Sequence, residues 1–157
     1  MAAILLLLLL VNLRGAFPER AIIWIVFLAD LADLFYHRIY GPSDFRTVDY
    51  FHVVLDGVTF SAVLWVALGA NRAWPLPVCA LHLLGLTAHI AKLSGLPSFN
   101  QVYWAMTSIP DYLQLPIILI GTLAHTRRFE RIGPYRDWRH DWRVPNFLRQ
   151  TVPGSAA

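Results

Sequence analysis

Apolar positions along this chain come in long continuous runs, not in the strict alternation of half-buried strands. The runs predict helices. The first, Met1–Leu13, is leucine-rich and broken only by Asn12; Ala2–Leu13 makes about 18 Å of helix against a hydrocarbon core of about 30 Å. No Lys or Arg precedes Arg14 and no small-residue cleavage pattern follows, so an uncleaved apolar helix is expected in place of a signal peptide. After the link Arg14–Arg20, a second segment runs from Ala21 to about Ile39. The cluster Tyr40-Gly41-Pro42-Ser43-Asp44 reads as a turn, with Asp44 placed to cap a lead-in to the third segment, about Tyr50–Ala70. Asn71-Arg72 is a very short turn, so the third segment and the fourth, Ala73–Leu93, should be antiparallel neighbours. Pro75 and Pro77 fall in the first turn of the fourth segment, where proline is tolerated. Ser94–Ser98 is a loop. The fifth segment runs from about Val102 to Thr126, with Pro110 and Pro116 inside it as expected kinks. No internal repeat is visible.

Composition turns these helices towards a membrane. Hydrophobic residues make up 57% of the 157 and charged residues only 15%, against about 25% in ordinary soluble domains. Mean hydropathy is +0.50. The single cysteine, Cys79, lies in an apolar run and rules out an intrachain disulfide. The expected fold is an all-α transmembrane helical bundle. It has four full spans plus a short N-terminal apolar helix over 1–126, then a basic, aromatic tail over 127–157.

The distribution of Lys and Arg orients that bundle. Arg127, Arg128, Arg131, Arg136, Arg139, Arg143 and Arg149 lie in the tail. With the tail in the cytoplasm, Arg14, Arg20 and Arg72 fall on the same side, giving ten basic residues against Arg38, Arg46 and Lys92 on the other. The expectation is a multi-pass cell-membrane protein with a cytoplasmic C-terminus.

Polar residues inside the apolar segments are the candidate chemistry, because an ionisable group at bilayer depth is costly and needs a partner, water or a function. Asp30, Asp33 and His37 stand at i, i+3 and i+7, so one face of the second segment carries them. His52 and Asp56 share a face of the third segment, and His82 and His89 share a face of the fourth. Threading places Asp33, His37, His52, Asp56 and His89 together in the outer half of the bilayer, with Asp111 of the fifth segment somewhat deeper. Several readings compete. The polar groups could be interhelical glue, an ion or proton path, or a metal site with His52, Asp56 and His89 as candidate ligands. Haem fits poorly, since His82 finds no histidine partner at its depth. No cofactor is called for.

The tail carries seven Arg against Glu130, Asp137 and Asp141, a net charge of +4. Gly133-Pro134 reads as a helix start and Pro145 as a stop. Between them Tyr135, Trp138 and Trp142 form an aromatic stripe, with Arg136, Arg139 and Arg143 beside it. Such a helix suits the surface of an anionic leaflet, so lipid headgroups are its expected partner. His125 and His140 read as interfacial, and Thr151–Ala157 as disordered. Protein partners within the membrane are expected, and nucleic acid is not.

No Ser-His-Asp order, glycine-rich phosphate loop or CxxC occurs, and nothing indicates a soluble enzyme. The expected function is that of an accessory or scaffold membrane protein. The alternatives are an ion-, proton- or metal-handling protein using the Asp/His cluster, and a holin-like pore former.

Overall fold

A computed structural model describes residues 2–42, 47–95 and 100–139. All regular structure among them is helical: α1 (Ala2–Arg14), α2 (Phe17–Tyr40), α3 (Tyr50–Gly69), α4 (Pro75–Leu93) and α5 (Asn100–Ile132). Each helix packs against its neighbour in the chain, and α1 and α2 also touch α5. The ring α2–α3–α4–α5 is thereby closed, with α1 against both α2 and α5.

Local chemistry sets the helix ends. Pro18 stands in the first turn of α2, where its missing N–H is not needed, and Glu19 reaches back to accept from the N–H of Ala16 at 3.2 Å. Asp49 caps α3 by accepting from the N–H of Phe51 at 2.9 Å. Asp44, the expected cap, lies outside the described residues, as do Ser43 and Leu96–Ser98. The fifth helix runs through both Pro110 and Pro116 and continues six residues past Thr126. Arg127, Arg128 and Arg131 therefore belong to its last turns and not to a separate tail.

Two helices, Tyr50–Gly69 and Pro75–Leu93, are long and apolar enough to cross a membrane. Four were expected. The difference is one of polarity: α2 is long enough but carries Asp30, Asp33 and Arg38 along its length, α5 is diluted by polar residues, and α1 is apolar but only 13 residues long. Only 22% of the apolar window in α3 and 33% of that in α4 is buried within the bundle. Val54, Val58, Trp65 and Leu68 of α3 point outward, as do Trp104, Leu113, Ile120 and Leu123 of α5. A continuous apolar exterior of this kind marks a surface made for lipid or protein.

The apolar core occupies one half of the bundle. Ile22, Ile23 and Val26 of α2 meet Val63 and Val66 of α3, Val78 of α4 and Ile118 of α5, all essentially without solvent exposure. The polar residues fill the other half.

Beneath the core, the α1–α2 link, the α3–α4 turn and the segment after α5 come together at one end. Gly133 adopts φ +76° and its N–H bonds to the carbonyl of Phe129 at 2.8 Å, a left-handed C-cap that stops α5. The chain after it, over 133–139, is not helical. The N–H of Arg139 donates to the carbonyl of Gly69 at 2.8 Å, and the N–H of Asn71 to the carbonyl of Asp137 at 2.9 Å. Trp138 packs on Gly69 and against Trp65 and Phe17. The expected surface helix is thus corrected over its described part. Tyr135, Arg136, Trp138 and Arg139 form an extended strap on the bundle, because their backbone groups find partners at the end of α3. Trp142, Arg143, His140, Pro145, Arg149 and Thr151–Ala157 lie outside the described residues.

Candidate functional site

The four helices of the ring enclose a cavity of about 170 Å³ in the half of the bundle opposite that strap. Its mouth lies at the α2–α3 connection, where Thr47 is exposed and Asp49 half-buried. Val26, Thr59, His82 and Gln114 form its floor, directly above the apolar core. The space is therefore a polar cup set against the apolar core.

All seven residues of the candidate polar cluster line this cup: Asp30, Asp33, His37, His52, Asp56, His89 and Asp111. Helix periodicity explains why, since each set shares a face and the ring turns those faces inward. Among the described residues the wall contains five carboxylates and four imidazoles but no Lys or Arg.

Two connected groups stand out within it. In the first, His52 Nε2 lies 2.8 Å from Asp33 Oδ1 and 3.2 Å from His37 Nε2, and His37 Nε2 lies 3.4 Å from Asp33 Oδ1. The outward nitrogen of each ring faces an acceptor. His37 Nδ1 donates to the carbonyl of Gly41 at 2.7 Å, and His52 Nδ1 faces Asp49 Oδ2 at 3.3 Å. Asp49 is itself held by the hydroxyl of Tyr36 at 3.0 Å. In the second group, His89 Nε2 donates to Asp56 Oδ2 at 3.0 Å while its Nδ1 accepts from the hydroxyl of Tyr103 at 2.7 Å. This fixes the tautomer of His89 and leaves neither of its nitrogens free.

The three metal candidates named from the sequence are consequently divided. His52 joins Asp33 and His37, the three ligand atoms lying within 4.8 Å of one another, whereas Asp56 and His89 satisfy each other. At the floor, His82 Nε2 and Gln114 Oε1 are buried without a hydrogen-bond partner among the described residues, and such atoms call for water or a ligand.

Three residues escaped sequence reasoning. Tyr103 and Gln114 carry no charge and sit in an apolar segment without a pattern. Asp49 was hidden in the polar turn before α3. Its only available signal was its place immediately before an apolar run.

A second polar network closes the opposite end. Glu19 and Arg72 are both buried, with Arg72 Nη1 3.0 Å from Glu19 Oε2, an ionic contact without hydrogen-bond alignment. The indole N–H of Trp74 donates to Glu19 Oε1 at 3.1 Å, and Arg72 Nη2 to Asp137 Oδ1 at 2.8 Å. Burial works against the charge on Arg72. Glu19, Tyr135 and Asp137 outweigh it and hold the guanidinium above its ordinary pKa. The hydroxyl of Tyr135 also lies 2.6 Å from His125 Nδ1. His125, expected at the interface, thus belongs to this network.

Comparison with known proteins finds no matching family model, no matching curated protein and no matching solved structure.

Proposed function

We propose that this chain is an integral membrane bundle that handles cations at its polar cup. In this reading α2, α3, α4 and α5 cross the bilayer, α1 packs beside them, and the strap end lies in the cytoplasm. The cup then opens on the opposite side. One observation carries the cation reading: five aspartates line the cup and, among the described residues, no Lys or Arg does. A cleft of one sign between low-dielectric walls concentrates ions of the other sign. The apolar floor favours binding over conduction, since no polar path continues through Ile22, Val63 and Ile118.

A second reading has its own support. Asp33–His52 joins α2 to α3, and Asp56–His89 joins α3 to α4, so the same residues could serve as interhelical glue in an accessory or scaffold protein.

Ser108 lines the cup and its change to Cys is nearly isosteric. In a Cys79→Ala background, Ser108→Cys should react with a membrane-impermeant cationic thiosulfonate at least about tenfold faster than with an anionic one of equal size. The reaction should proceed from outside intact cells. Equal rates for the two reagents would favour the glue reading.

A further inference from the structure

We infer that Asp33, His37 and His52 form a binding site for a zinc-class divalent metal ion at the mouth of the cup. This rests on the cation reading of the cup and names the ion class and its ligands.

The first ground is the direction of the lone pairs. His37 Nδ1 is committed as a donor to the carbonyl of Gly41, which can only accept, so Nε2 of the neutral ring presents a lone pair. His52 has a carboxylate at each nitrogen, Asp49 Oδ2 3.3 Å from Nδ1 and Asp33 Oδ1 2.8 Å from Nε2, and the tautomer protonated on Nδ1 also presents an Nε2 lone pair. Two imidazole lone pairs and a carboxylate oxygen then converge on one point. In that form only a cation satisfies the three acceptors at once, and among the described residues no Lys or Arg lines the cup to supply it.

The second ground is distance. Ligands about 2.0–2.1 Å from a tetrahedral zinc stand about 3.3 Å from one another. The three separations here are 2.8, 3.2 and 3.4 Å. The third ground is the outer shell. Metal-binding histidines typically donate their other N–H to a carbonyl or carboxylate, and here one has each, with Asp49 steadied in turn by Tyr36 and the N–H of Phe51. The site is also reachable: the Asp33 side chain is 41% exposed and the His37 side chain 27%. Three protein ligands with room in the cup for a water is the open coordination of catalytic and transfer zinc sites. Two imidazoles and one carboxylate are too few hard oxygens for Ca²⁺ or Mg²⁺.

The test uses the full chain purified in detergent and stripped with chelator. Zn²⁺ should bind at one per chain in equilibrium dialysis, unaffected by millimolar Mg²⁺ or Ca²⁺. Co²⁺ as a probe should give the intense visible bands of a low-coordinate site, which Zn²⁺ displaces. His37→Gln and Asp33→Asn should each weaken Zn²⁺ binding by about a hundredfold or more, and Asp49→Asn by about 10–100-fold. His125→Gln, at the far end of the bundle, should leave binding unchanged. His37→Gln keeps the Asp33–His52 contact between helices, so it guards against loss of fold in Asp33→Asn. Absence of stoichiometric Zn²⁺ binding, or binding that survives in folded His37→Gln, overturns the site. If Zn²⁺ fails while Ser108→Cys still prefers the cationic reagent, the metal site falls and the cation reading of the cup stands. If both fail, the cup is glue.

Discussion

At the scale of single residues, the most constrained position is Glu19. It is fully buried, accepts from Trp74 and the N–H of Ala16, and faces a buried Arg72. Removing Glu19 leaves the buried Arg72 with the half-buried Asp137 as its remaining ion-pair partner, and breaking a buried pair costs about 3–5 kcal/mol. Glu19→Gln should therefore lower the thermal midpoint in detergent sharply, and restoring Glu at 19 by reversion should recover it fully. A midpoint within a degree of the parent would mean that Arg72 is neutralised by Asp137 alone. Gly121 is constrained in a different way. A Cβ there would run into the indole of Trp74, whose ring is pinned by its bond to Glu19. Gly121→Ala should destabilise by about 1–3 kcal/mol through overpacking, read from the same melts, whereas Gly57→Ala, with open space around its Cβ position, should not.

At the scale of elements, the arrangement of ends carries the prediction. The strap is joined to the α3–α4 turn by Arg72–Asp137, Asn71–Asp137 and Arg139–Gly69 contacts, and the start of α2 is joined to both by Glu19–Arg72 and by the N–H of Phe17 on Asp137, so all three lie at one end. Thr47 lies at the other, beside the cup. If α3, α4 and α5 each cross the bilayer, Thr47 and Arg136 face opposite sides. In a Cys79→Ala background, an impermeant maleimide should label Thr47→Cys in intact cells and Arg136→Cys only after permeabilisation. Labelling of both in intact cells would remove the odd number of crossings between them. The strap itself shows why an aromatic stripe at i, i+3 and i+7 is an insufficient sign of a helix. Tyr135 and Trp138 have that spacing, yet Gly133 ends α5 and the backbone after it pairs with the end of α3. Cation–π stacking of Arg72 and Arg128 on Tyr135 then holds the side chain in place.

At the scale of the whole molecule, the chain divides into a polar half and an apolar half, sealed by a salt-bridged end. Much of this was legible beforehand. Run length and residue type determine the five helices, because a backbone in an apolar setting must satisfy its own hydrogen bonds. Spacing determines which residues share a face, and counting along antiparallel helices determines their depth, so Asp33, His52, Asp56 and His89 could be assigned to one level from the sequence. Which of them touch could not. Partner choice depends on how each helix is rotated about its axis and how closely neighbours approach, and those quantities are set by packing across the bundle. Hence only the tertiary structure pairs His52 with Asp33 and His89 with Asp56, and brings in the uncharged Tyr103. The same holds for Glu19. In sequence it belongs to a polar link, and its role appears only when Arg72, 53 positions on, folds back over it. Periodicity is a local property of the chain, whereas a buried charge is defined by what surrounds it in space.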